Sequence, residues 1–225
     1  MTIQLAGITR RFGQRAVLDN VSQDVARGQF VAVVGPSGSG KSTLLNCLAA
    51  IDQPDSGSIS VNGIDLGSLN ETKRARYRRQ TIGMVFQHSN LLPSLTVLEN
   101  VLLRWSLDRR ITAADRQAAA IALGRVDMAE AQHRFPDTLS GGEQQRVAIA
   151  AALIHQPSVL IADEPTGALD ADRADTIMDL LVELVREQDT TLLVATHAND
   201  IAAQADYQWT LRGGQVTVHE QISHA

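Results

Sequence analysis

The chain has 225 residues, 44% hydrophobic and 20% charged, with a formal net charge of -5 at pH 7 and a single cysteine, Cys47. That length suits one domain, or one core with an inserted subdomain, and needs no disulfide or metal staple. Excluded are a membrane span, a secretory leader in the first eleven residues, a disulfide framework outside a reducing cytosol, and broad binding to nucleic acid or anionic lipid, so at a membrane another protein must hold the chain.

Segments 3–8, 17–25 and 57–61 read as a small antiparallel β layer at the N-terminal end. Phe30–Val34 is continuous in apolar residues, as are Ile82–Phe86, 159–162 and 191–196. Continuous runs, not alternating ones, fit parallel strands covered on both faces. Helices lie between them, one over 42–51 and another over 172–188, where Ala174, Ile177, Leu181, Leu184 and Val185 share a face. From 88 to 156 the pattern is helical, with Ser/Thr-x-x-acid starts at Thr96/Glu99, Thr112/Asp115 and Ser140/Glu143. The expectation is an α/β fold: a mostly parallel sheet core over 1–87 and 157–225, the small antiparallel layer, and an inserted helical subdomain over 88–156.

The loop after the first apolar run, Gly35-Pro36-Ser37-Gly38-Ser39-Gly40-Lys41-Ser42-Thr43, fits GxxxxGK followed by Ser or Thr. Glycines let successive backbone N–H groups turn toward a triphosphate, and the helix start adds its dipole. Lys41 supplies charge to the β- and γ-phosphates, and the Ser42 hydroxyl suits magnesium. Chance produces this pattern in roughly one chain per hundred of this length, and here it lies between a strand and a helix. It marks a nucleotide site with a P-loop.

Ligands of open parallel sheets bind beyond the carboxyl ends of the strands. The other runs end in Gln87, in Asp163-Glu164 and in His197. Asp163 suits magnesium, usually through water. Glu164 suits a general base toward water, Gln87 the metal or that water, and His197 the γ-phosphate. A second phosphate-binding device, Leu139-Ser140-Gly141-Gly142-Glu143-Gln144, offers a glycine-rich helix start with open N–H groups. Either both devices grip one nucleotide, or the second serves a partner's.

Together these segments resemble the ATP-binding-cassette ATPases along essentially the whole chain: GPSGSGKST at 35–43, Gln87, LSGGEQQRVAIA at 139–150, VLIADEP at 159–165, Ala168-Leu169-Asp170 and His197. The resemblance implies ATP and magnesium as ligands and a head-to-tail pair of chains closing over two ATP. It implies that residues 139–144 meet the other subunit's γ-phosphate and that Ala168–Asp170 crosses the dimer interface. It also matches Phe12 to an aromatic that stacks on adenine, the other reading being a core aromatic. The segments 86–93 and 164–170 look most like the branch of lipoprotein-release, macrolide-export and cell-division ATPases, in which a polytopic membrane subunit does work across the envelope. Departures from the family are Ala151 for an arginine, Ala49-Ala50 for Gly-Gly, and Gln29 for a glutamate.

The expectation is an ATP hydrolase, homodimeric, peripheral on the cytoplasmic face of a membrane through a permease subunit, exporting or releasing lipoprotein, peptide or drug-like cargo. Alternatives are a switch on a membrane-bound enzyme or division complex, a nutrient-importer cassette, and a soluble ATPase acting on nucleic acid or ribosomes. No Asn-Lys-x-Asp guanine motif is present, so ATP is the nucleotide. The basic run Lys73-Arg74-Ala75-Arg76-Tyr77-Arg78-Arg79 reads as a solvated helical face, and no nucleic acid is expected. Leu91, Leu92, Leu95, Val97, Leu98, Val101 and Leu102 divide between core and a groove beside Gln87 that the resemblance assigns to the membrane subunit. His88, His133, His155, His219 and His224 show no ligand spacing, and Cys47 reads as a small buried hydrophobe.

Overall fold

The computed structural model describes residues 2–220; His224 lies outside them. Strand β1 (Ile3–Phe12) turns at Gly13-Gln14 into β2 (Arg15–Val25), followed by β3 (Phe30–Val34), α1 (Lys41–Leu48), β4 (Ser56–Val61) and β5 (Ile64–Asp65). An antiparallel sheet forms in the order β2-β1-β4-β5. Both strands of the hairpin outrun the expected segments: Phe12 pairs with Arg15 and Arg11 with Ala16. These pairings are carried by backbone hydrogen bonds at exposed or half-buried residues, which leave no apolar alternation to read.

Helix α2 (Glu71–Thr81) leads into β6 (Ile82–Phe86). Then come α3 (Val97–Ser106), α4 (Ala113–Arg125), α5 (Gly141–Leu153), β7 (Val159–Asp163), α6 (Ala171–Glu187), β8 (Thr191–Ala195), α7 (Asn199–Ala203), β9 (Tyr207–Arg212) and β10 (Gln215–Glu220). The second sheet runs β10-β9-β3-β8-β7-β6, parallel except for β10. Its two cores explain the continuous apolar runs. Phe30, Ala32, Leu160, Ala162, Leu192 and Val194 face the helical side, while Val31, Val33, Val159, Ile161, Leu193 and Ala195 face α1 and the antiparallel sheet.

All three Ser/Thr-x-x-acid starts form reciprocal capping boxes, at α3, α4 and α5. At α4 the shorter Asp115 works because Arg109 also clasps its two oxygens at 2.6 and 2.7 Å, and these bonds hold the carboxyl well below the usual range. On α6 the predicted face is buried at Ile177, Leu181, Leu184 and Val185.

Three further expectations change, and a fourth, the division of the run after Gln87, holds. Strands β9 and β10 add a hairpin through Gly213-Gly214 that the apolar runs did not reveal. Helix α1 stops at Leu48, short of 51, and Ala50 beyond it adopts φ 51. The basic run on α2 is no simple solvated face. Tyr77 is buried and donates to the Leu48 carbonyl at 2.9 Å, Arg78 donates to the Ala50 carbonyl at 2.6 Å, and Arg79 pairs with Asp108 at 2.8 Å. Of the run after Gln87, Val97, Leu98, Val101 and Leu102 are core, Leu92 is exposed, and Leu91 lines a cleft with Ala148, Ala151 and Ala152. Among the described residues no helix is long and apolar enough to cross a membrane.

Candidate functional site

The phosphate loop bridges β3 and α1, and close packing dictates two of its glycines, Gly35 and Gly40. A Cβ on Gly35 would lie 2.4 Å from the Leu211 carbonyl oxygen, and one on Gly40 would lie 2.7 Å from Val17 Cγ1. Gly40 caps α1 at φ 111 without a side-chain bond, so the first N–H groups of that helix stay open for an anion. Lys41 is only 6% exposed, and its Nζ donates to the carbonyls of Gly35 at 2.9 Å and Pro36 at 3.4 Å. Gly35 and Pro36 therefore hold the lysine and do not line the cleft.

That cleft has a volume of about 610 Å³. It gathers Phe12 and residues 37–43 with Gln87, Glu164 and His197, five separate stretches of the chain. Phe12 is 53% exposed, which removes the core reading, and the Arg10 guanidinium sits over one face of its ring at 5.0 Å. Arg10 is itself paired with Asp52 and Asp55 at 2.9 and 2.8 Å, a mount that leaves the ring accessible from the cleft.

At the strand ends, Glu164 follows β7 in the left-handed region, φ 50, and its N–H donates to the Ala195 carbonyl at 2.9 Å. A non-glycine residue held there is strained, a condition that clusters at working sites. Its Oε1 stands 3.1 Å from His197 Nε2, which is 3.1 Å from Lys41 Nζ. Asp163 ends β7 in register with Phe86 and Ala195, beside the cleft and not in its lining. Among the described residues no group of three or more His, Cys, Asp or Glu could hold a metal. Few protein oxygens near a phosphate site, here Ser42, Gln87 and Asp163, fit magnesium, which keeps waters and phosphate oxygens as ligands.

Among the described residues none of 139–144 lines this cleft. Leu139 is buried in the helical core, and Ser140 caps α5, with Glu143 returning the bond to the Ser140 N–H at 2.7 Å. Gln144 is tied to Ser89 at 3.1 Å. The exposed Gly141 faces the turn of Ala168, Leu169 and Asp170: a Cβ there would meet Leu169 Cδ2 at 3.6 Å. The second helix start and that turn thus share one surface outside the cleft.

Sequence reasoning missed Gln145. It is 3% exposed, and its Nε2 donates to the carbonyls of Phe86 at 3.0 Å and Pro165 at 2.6 Å. One side chain on α5 therefore joins the residues adjoining Gln87 and Glu164. The sequence hint was an uncharged polar residue on the inner side of an otherwise apolar helix.

A family model described as ABC transporter matches residues 18–167. The lipoprotein-releasing system ATP-binding protein LolD 1 of Rhodopirellula baltica is 46% identical over 199 residues, 88% of this chain and 87% of its own. The ABC transporter ATP-binding protein Rv0986 of Mycobacterium tuberculosis is 44% identical over 221 residues, 95% of this chain and 88% of its own. The dimeric post-hydrolysis structure of the ATP-binding cassette MJ0796, from Methanocaldococcus jannaschii, bound to ADP and Pi, matches with a TM-score of 0.88 at 35% identity, over 98% of this chain and 99% of that one.

Proposed function

The chain belongs to the ABC transporter ATPases and is an ATP hydrolase, and from that premise we propose that it works as a head-to-tail pair driving a separate membrane subunit. The carrying observation is the separation of its two phosphate-binding devices. Residues 139–144 lie outside the cleft that holds 37–43 and beside the Ala168–Asp170 turn. A second chain turned end for end would bring its residues 139–144 over this chain's nucleotide.

In the closed pair, the N–H groups of the loop and the Lys41 ammonium hold the β- and γ-phosphates, and Phe12 stacks on adenine. Magnesium, held through Ser42, Gln87 and Asp163, supplies charge neutralisation to those phosphates. Glu164 takes a proton from the attacking water. The water oxygen bonds to the γ-phosphorus as the bond to the bridging oxygen breaks, leaving ADP and phosphate. His197 orients the γ-phosphate from beside Glu164.

Similarity to LolD 1 supports lipoprotein release as the work done, with the chain peripheral on the inner face of the cell membrane through its partner. The test takes the Glu164→Gln chain with ATP and magnesium. Light scattering should report a dimer that needs ATP, and a mild-detergent pull-down from native membranes should recover a polytopic protein near one-to-one. A chain that stays monomeric at saturating ATP would overturn the paired reading. A soluble complex with ribosomal or nucleic-acid partners would overturn the membrane-motor reading.

A further inference from the structure

We propose that Arg15 is a positioning residue for the nucleotide base, tying the hairpin that carries Phe12 to the tip of the phosphate loop. The proposal rests on the ATP-site reading above. Phe12 and Arg15 are the closing cross-strand pair of the β1–β2 hairpin. The exposed Arg15 guanidinium donates to the Gly38 carbonyl at 2.9 Å. Among the described residues it forms no ion pair, so a cation on the surface is committed to a backbone oxygen of the loop.

Gly38 gives the hairpin an open point of attachment on the loop. It sits at φ 72, and nothing lies within 4 Å of where its Cβ would be, so that side of the tip has no packing. Two residues beyond Arg15, Val17 closes on Gly40. The first three residues of β2 thus bear on the loop at two points, one polar and one apolar. The exposed ring of Phe12 gains a fixed distance to the loop that grips the phosphates. A hairpin tip is otherwise among the freest parts of a fold. Fixing it before ATP arrives lowers the ordering cost that binding must meet.

Among the described residues Lys41, Glu164 and His197 make no bond to Arg15, so the tie should act on binding and leave the chemical step alone. Arg15→Ala should weaken ATP binding and raise KM by about three- to tenfold, a fraction of a base-stacking contact, at unchanged kcat. Inorganic tripolyphosphate, which has no base, should bind Arg15→Ala and wild type equally. Arg15→Lys still donates to a carbonyl and should recover most of the ATP affinity. Combining Arg15→Ala with Phe12→Ala should weaken ATP binding no further than Phe12→Ala does. Additive losses, or an equal loss of tripolyphosphate affinity, would overturn the proposal. Unchanged ATP affinity in Phe12→Ala would overturn it together with the stacking assignment. A wild-type chain that binds no ATP would instead sink the nucleotide-site reading itself, a result seen before any variant is made.

Discussion

His197 Nε2 lies 3.1 Å from Glu164 Oε1, and the same nitrogen lies 3.1 Å from Lys41 Nζ. One imidazole nitrogen cannot donate to a carboxylate and accept from an ammonium at once. It serves Glu164 when it carries the proton and Lys41 when the proton is on Nδ1. The three side chains therefore form a set in which a change at one is felt as a proton position at another. Because Glu164 follows β7, His197 lies two residues past β8 and Lys41 starts α1 just beyond β3, the sheet sets their spacing.

Glu164→Gln keeps an oxygen that accepts from Nε2–H and keeps the φ 50 backbone, so it removes basicity without dismantling the site. Turnover should fall by roughly 10²–10⁴-fold, the usual worth of a general base, while equilibrium ATP affinity holds. Phosphate-release kinetics beside an ATP titration separate the two, and wild-type turnover would remove Glu164 from the role.

Lys41→Ala acts on binding. The ammonium is buried and already aimed by the Gly35 and Pro36 carbonyls, so little ordering remains when phosphate arrives. Losing a charge-assisted bond of about 1.5–3 kcal/mol should weaken ATP by roughly 10- to 100-fold. Titration calorimetry giving wild-type affinity would contradict the assignment.

The sequence was legible where chemistry is local. Thr96, Thr112 and Ser140 each meet their acid three residues on, and all three boxes form as spaced. The strand-end residues were legible because short continuous apolar runs of about five residues fit buried strands, and parallel pairing brings their ends to one edge. What stayed hidden depends on distant backbone. Gln145 finds carbonyls 59 and 20 residues away, and Arg15 finds one 23 residues away. The β9–β10 hairpin was hidden differently: its Gly213-Gly214 turn was visible, but β10 is largely exposed and lacks an apolar run. Gln29, in place of a glutamate, loses nothing, since its amide oxygen accepts from the Ala26 N–H at 2.7 Å as a carboxylate oxygen would.

Gln145→Leu should show how far α5 sets the catalytic strand ends. The substitution leaves the Phe86 and Pro165 carbonyls without their donor, next to Gln87 and Glu164. Each buried unsatisfied carbonyl costs about 1–3 kcal/mol, so thermal stability should drop. At a temperature where the variant is folded, kcat should fall with ATP affinity little changed, because the phosphate loop is not touched. Equal kcat in folded variant and wild type would confine Gln145 to stability.

Ala50 stands where the resembled family carries glycine, and it is held at φ 51 with its carbonyl accepting from Arg78 at 2.6 Å. A Cβ in the left-handed region costs roughly 1–2 kcal/mol, partly offset by the unfolded-state freedom that glycine adds. Ala50→Gly should therefore stabilise by up to about 1 kcal/mol, or about 2–4 °C in Tm for a chain of this size. Calorimetry showing a lower Tm would mean that the buried methyl contributes more packing than its strain costs.

His155 sets a pH dependence. Its Nε2 is 3.2 Å from the Ile82 carbonyl and its Nδ1 is buried without a partner. Burial first, and the nearby Arg104 charge second, push its pKa down to about 3, against a weaker upward pull from the Ile82 bond. In the unfolded chain the imidazole titrates near its ordinary value of about 6.5. Between those values the unfolded state binds the extra proton, so this contribution to stability is whole above pH 6.5 and shrinks as pH falls toward 3. The loss is at most about 1.4 kcal/mol per pH unit inside that window. His155→Gln can still donate to the Ile82 carbonyl but cannot take up a proton. Urea unfolding from pH 7.5 to pH 5 should therefore give a shallower decline for the variant, and matching slopes would show that His155 takes up its proton equally in the folded and unfolded chain.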